Sequence, residues 1–354
     1  MRPRRARRLS TAILPLVGVL IVACRPGLEA PSAGPPARLS ELGIFTGPLA
    51  ELRPAKGLHP YAVRAPLFSD YTAKQRLIRL PAGEAMGYRA SGPFDFPVGT
   101  LIVKTFSMPH DLRAPKGAAR RLETRLLRRD AAGWRAFSYV WGEDQREAQL
   151  ELAGDIVPVT WRHYDGRERM SRYVVPTVND CKACHGVDGH IEPIGPRASQ
   201  LVAAGAATRG SLLTSWARDG LLTGLTEGHD EGALLARWQD DGEPLERRAR
   251  AYLEGNCAHC HNPRGSANQA GLDLRGSVTD RRALGVGKAP VAAGRGSGGR
   301  AYAIVPGRPE ASILTFRMAS TELGVAMPEL GRRLVHDEGV ALMETWIRAM
   351  PTPR

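Results

Sequence analysis

The chain has 354 residues, 43% of them hydrophobic, which is enough for about two or three cored domains and too apolar for a disordered chain. Four of its five cysteines fall in two Cys-x-x-Cys-His motifs, which leaves only Cys24 and excludes a framework of structural disulfides. The formal charge of +13 suits acidic partners or an anionic membrane surface, but no helix-turn-helix or aromatic-basic pattern accompanies it, so nucleic acid is not expected.

Residues 1–23 read as an export signal. Arg2, Arg4, Arg5, Arg7 and Arg8 precede an apolar run from Leu9 to Ala23, and those arginines leave with the signal, lowering the working charge. The run is shorter than the roughly 20 apolar residues that a membrane span needs. It ends in Ile21-Val22-Ala23-Cys24, which matches a bacterial lipobox, so Cys24 is the candidate lipidation site. An ordinary signal cut nearby is the alternative. Residues 24–38, rich in Pro, Ala, Gly and Ser, form a tether.

Residues 39–175 read as strands and turns. Apolar or β-rich runs occur at Arg76–Leu80 and Gly99–Phe106. Leu122–Arg128 and Trp134–Trp141 flank a turn at Asp130-Ala131-Ala132-Gly133, and Ile156–Trp161 and Arg169–Val175 flank one at Asp165-Gly166. Hairpins without long intervening helices predict an antiparallel β-domain. Trp134, Tyr139, Trp141 and Trp161 are expected to pack within it.

Cys181-Lys182-Ala183-Cys184-His185 and Cys257-Ala258-His259-Cys260-His261 have the spacing of haem c attachment. Two thiols add across the vinyl groups on one edge of a haem, and the following histidine binds the iron. Cys181, Cys184, Cys257 and Cys260 are therefore the expected attachment points, and His185 and His261 the proximal ligands. A single motif would also fit a redox dithiol or half a zinc site. After the first motif, residues 176–243 hold Gly195-Pro196, with Pro196 a candidate to support His185 by hydrogen bonding. A helix over Ala198–Leu222 follows, with Leu212, Leu213, Trp216 and Leu221 on one face, and then a polar connection.

In residues 244–354, a helix is predicted over Pro244–Asn256, with Leu245, Ala249, Tyr252 and Leu253 on one face. A second is predicted over Asp337–Met350, and Tyr252 against Trp346 is the expected contact between them. Met327-Pro328 lies between these helices; Met327 is the candidate sixth ligand of the second haem, and Met318 its nearest competitor. The sixth ligand of the first haem stays open among Met108, His110, His163, Met170, His190, His229 and none. Gly294–Gly299 spells a dinucleotide-binding pattern without its strand and helix context, so a loop is expected there, with Arg295 and Arg300 available to haem carboxylates. No catalytic acid pair and no Ser-His-Asp set stands out.

Taken together, these segments resemble a family of exported bacterial dihaem c-type cytochromes. The resemblance spans about residues 40 to 350. It is carried by Phe96-Pro97-Val98-Gly99-Thr100, Glu123–Leu127, Val175–Asn179, Ile194-Gly195-Pro196, Arg248–Leu253, Ala293–Arg300, Ile304–Gly307, Met327–Gly331 and both motifs. It implies two covalently attached haem c groups and export, and it names no substrate. The expected fold class is α+β: an N-terminal antiparallel β-domain followed by two mainly α-helical cytochrome c-like haem domains, the second class I-like. The expected function is electron transfer with a redox partner protein in the cell envelope, at the bacterial periplasm or outer membrane, lipid-anchored at Cys24. A dihaem, peroxidase-like oxidoreductase with an open first haem is the alternative.

Overall fold

Alternation of apolar and polar residues sets the largest element. A computed structural model of the chain describes residues 34–203, 212–226 and 234–352; the signal, Cys24 and His229 lie outside them. Strands β1 (Leu58–Val63), β2 (Ala73–Arg79), β3 (Met86–Gly87), β4 (Leu101–Pro109), β5 (Ala119–Asp130), β6 (Gly133–Trp141) and β7 (Ala148–Glu151) are followed by a separate hairpin, β8 (Asp155–Arg162) with β9 (Glu168–Val175). Six of these strands and the later β12 (Leu201–Ala203) form one antiparallel sheet in the order β12-β1-β2-β4-β5-β6-β7. Both predicted hairpins are present. The first turns between the paired residues Asp130 and Gly133, where Gly133 takes a φ of 124° that disfavours side chains.

The period of two divides β4 between two environments. Leu101 and Val103 pack with Leu77, Leu126 and Tyr139 beneath an N-terminal segment carrying Leu39 and Ile44. Ile102 faces the other way, into a cluster with Ile78, Phe94, Phe96 and Trp216. Further along the strand, Phe106 and Met108 pack against Val157, Trp161 and Tyr173 of the β8–β9 hairpin. Tyr139, Trp141 and Trp161 are buried, and Trp134 meets Phe96 edge-on at 5.4 Å, so the aromatics do pack as expected.

The expectation of two mainly α-helical haem domains is not met. The described residues contain one large antiparallel sheet and five short α-helices. After the first motif the chain makes a small hairpin, β10 (Gly186–Val187) with β11 (His190–Ile191), and then supplies β12 to the sheet. Among the described residues of the stretch Ala198–Leu222, the expected helix is present only as α2 (Leu212–Arg218), and β13 (Leu222–Thr223) pairs with β3. The open edge of β1 offers unpaired backbone groups, and pairing with them outweighs the helical spacing of that segment. In the C-terminal part, α3 (Leu245–Asn256), α4 (Ile313–Met318) and α5 (Asp337–Ala349) are separated by a long segment with 3-10 turns only. Pro263, Gly265, Gly271, Gly276, Gly285, Gly287 and Pro290 interrupt helix formation there.

Helices α3 and α5 do pack together, but the expected Tyr252–Trp346 pair becomes two separate contacts. The Tyr252 hydroxyl bonds His336 Nδ1 at 2.9 Å beside Gly339, and Trp346 Nε1 donates to the Glu246 carboxylate. Residues 35–354 form one compact unit. Its parts are tied by Arg197–Glu254 at 2.5 Å, Phe68 N–H to Asn256 Oδ1 at 2.7 Å, and the N–H groups of Arg333 and Leu334 to Asp70 at 2.8 and 2.9 Å. Among the described residues no helix is long and apolar enough to cross a membrane.

Candidate functional site

The first motif sits on α1 (Val178–His185). Thr177 starts this helix: its Oγ1 accepts from Asp180 N–H at 3.1 Å, and the Asp180 carboxylate accepts from Thr177 N–H at 2.9 Å. Helical spacing then places Cys181, Cys184 and His185 on one side. All three line a cavity of about 230 Å³ between α1, the Ile194–Arg197 segment and the sheet. His185 Nδ1 bonds the Glu192 carbonyl at 2.8 Å, which orients the ring and leaves Nε2 available. Burial brings its pKa down to about 4, so the imidazole is neutral at pH 7. Pro196 lines the cavity, but its own carbonyl accepts from Phe94 N–H at 3.3 Å; the carbonyl that supports His185 belongs to Glu192.

The second motif follows the C-terminus of α3, where Cys257 N–H and His261 N–H continue the helical bonding to Leu253 and Cys257 at 2.8 and 2.9 Å. Cys257, His261 and Met327 line a second cavity, also of about 230 Å³, with an apolar wall that includes Leu272, Leu274, Leu284, Ile304 and Ile313. Met327, 66 residues beyond His261 in sequence, is thus brought to the same space. Two backbone contacts hold it: its N–H donates to Arg317 O at 3.0 Å, and Arg332 donates to its carbonyl at 2.9 Å. Met318 is buried in α4 within the core. Burial lowers the pKa of His261, and its Nδ1 is buried without a hydrogen-bond partner.

Between the cavities the two motifs meet. The Cys184 and Cys260 sulfurs and a ring nitrogen of His259 lie within 4.8 Å of one another. Hydrogen bonding between the thiols raises the pKa of Cys184 and lowers that of Cys260. Glu329 lines both cavities. Sequence reading passed over His259 because the two residues inside such a motif carry no required chemistry; its only signal was a histidine where the first motif has Ala183.

A structural zinc takes four donors, and Cys184, His259 and Cys260 supply three, with no fourth grouped with them among the described residues. An ion there would also leave Cys181, His185, Cys257, His261 and Met327 idle, although they line two cavities. Two haems would use them all, and the wall of the second cavity is mainly apolar. The residues present therefore fit haem better.

The residues considered as a sixth ligand opposite His185 do not gather at the first cavity. Met108 is buried beside Phe106, and His163 takes a 3.4 Å bond from Trp161 Nε1 and packs on Tyr71. His110 and His190 are exposed, and Met170 is 79% exposed. Lys104 and His259, neither of them anticipated, also line this cavity. Arg295 pairs with Glu322 and Arg300 stacks on Phe316 at 4.1 Å; neither lines a cavity.

No family model matches the chain, and neither a curated protein nor a solved structure is significantly similar to it.

Proposed function

We propose that this protein is a two-haem c-type cytochrome that transfers electrons in the cell envelope, exported by its N-terminal signal and anchored through Cys24. One observation carries this reading: Cys181, Cys184 and His185 line one cavity, Cys257 and His261 line a second, and the Cys184 and Cys260 sulfurs come within 4.8 Å of each other. Each of those sulfurs would hold the edge of a haem, so the chain would set the two groups edge to edge. Haem bound there supplies a one-electron iron couple. The chain does the rest. Cys181 and Cys184, and Cys257 and Cys260, fix position; His185 and His261 offer neutral imidazoles; Met327 offers a soft thioether that favours reduced iron; the apolar wall of the second cavity excludes water.

The protein purified after export should carry the mass of two haems, and Cys181→Ser/Cys184→Ser or Cys257→Ser/Cys260→Ser should each remove one. A mass equal to that of the lipidated chain alone, or stoichiometric zinc in place of iron, would sink the reading.

A second reading, a dihaem oxidoreductase with an open first iron, is favoured by a first-cavity lining that holds none of Met108, His110, His163, Met170 and His190, and it requires that Lys104 and His259, which do line the cavity, leave the iron unligated. Carbon monoxide binding by the reduced first haem supports it; two low-spin haems that bind no carbon monoxide exclude it.

A further inference from the structure

The sheet face that walls the first cavity carries a charge pattern that folding alone disfavours. In the register of β2, β4 and β5, Arg76 lies directly opposite Lys104, and Lys104 directly opposite Arg125. All three line the cavity that holds Cys181, Cys184 and His185. Like charges directly opposed on neighbouring strands repel, and the adjacent lining residues Ile102 and Leu127 are apolar.

Little in the chain answers this charge. Arg125 pairs with Glu123 at 2.5 Å, whereas Arg76 and Lys104 have no carboxylate within 4.0 Å among the described residues. The Phe106 ring, 4.7 Å from Lys104 Nζ, returns part of the cost. The acids of the cavity are committed elsewhere. Asp70 accepts from two backbone N–H groups, Asp180 closes the cap of α1, and Glu329 pairs with Arg317 at 3.3 Å. Burial accordingly pulls both Arg76 and Lys104 below their ordinary pKa, Lys104 strongly.

We infer that the Arg76–Lys104–Arg125 row is an anion-binding site that takes a carboxylate or a small oxyanion into the first cavity beside His185. Two sources carry that chemistry if, as this inference assumes, a haem sits on His185. One is the haem's own carboxylates; the other is a free anion that reaches the iron.

The test uses the full haem-loaded chain and the variants Arg76→Gln and Lys104→Gln, with haem number read from the pyridine haemochrome and nitrite as the probe. For a free-anion site, nitrite changes the spectrum of the first haem, and each variant binds it roughly ten- to a hundredfold more weakly at unchanged haem number. For haem carboxylates, nitrite does nothing, and each variant loses haem from the first site or lowers the midpoint potential of that haem alone. Variants that keep both haems, both potentials and the parent nitrite response, and melt no lower than the parent, overturn the site. A preparation with fewer than two haems overturns the two-haem reading instead. In that case a nitrite-dependent rise in melting temperature that both variants lose still supports the row, and its absence refutes it.

Discussion

At the scale of single residues, Met327 has the most direct consequence. It shares a cavity with His261 across a long stretch of chain, and a thioether opposite imidazole raises the reduction potential of haem iron. Met327→Leu conserves volume and apolarity but removes the sulfur. If the proposed haems are attached, the variant is expected to keep both, to lose the sulfur-to-iron charge-transfer band, and to lower one midpoint potential while leaving the other in place. Optical spectroelectrochemistry reads all three; an unchanged band would assign the sixth position of the second haem to another group. His336 bears on stability through its protonation. It is buried against Phe68, with ring centroids 4.1 Å apart, and bonded to Tyr252. Burial lowers its pKa from 6.5 to about 3, with Lys74 and Arg332 adding repulsion, and Glu338 at 3.6 Å on its own element does not offset this. Between those values the unfolded chain holds a proton that the folded one refuses, so stability is full above pH 6.5 and falls as pH drops toward 3. His336→Gln should flatten that slope in melting curves taken across this window. An unaltered slope would place the acid sensitivity elsewhere.

At the scale of elements, α3 and α5 meet through a close approach that only glycine permits. A Cβ at Gly339 would overlap the Tyr252 hydroxyl, which is already committed to His336. Gly339→Ala is expected to destabilise the protein by about 1–3 kcal/mol through overpacking, read as a lower urea midpoint at constant slope. Full stability in this variant would mean that Tyr252 moves freely, contrary to its burial. The same helix pair sets the second motif, since Cys257 follows directly from α3. Helix α1, with its two turns closed by the Thr177–Asp180 box, does the equivalent work for the first motif against the sheet.

At the scale of the whole molecule, the sheet and the helices form one unit whose internal seam is the meeting of the two motifs. Contacts such as Arg197–Glu254 and Arg264–Asp188 at 2.8 Å join the chain after the first motif to the chain around the second. The seam therefore depends on packing across the unit, and loss of the α3–α5 contact should reach the junction as well as α3. With two haems attached, the junction predicts a bisignate Soret circular dichroism band that either single-haem variant loses. A simple sum of two independent spectra would separate the haems and weaken the case for a direct relay.

How much of this was legible in the sequence differs with the range of the interactions involved. The hairpins at Asp130–Gly133 and Asp165–Gly166, the helix before Cys257 and the last helix were readable because turn chemistry and periodicity are local. The two Cys-x-x-Cys-His motifs were readable because their chemistry is written in five consecutive residues. Local periodicity misled over Ala198–Leu222, where an edge strand competed for the backbone, and the resemblance to cytochrome c domains misled in the glycine- and proline-rich stretch after Cys260, where a mainly helical domain was expected. Only the tertiary structure decided that Cys184, His259 and Cys260 share one place, that Glu192 supports His185, and that Arg76, Lys104 and Arg125 stand in a row. Each of these joins separate segments or strands, and strand register and sheet order are set by packing across the fold, to which a linear pattern has no access.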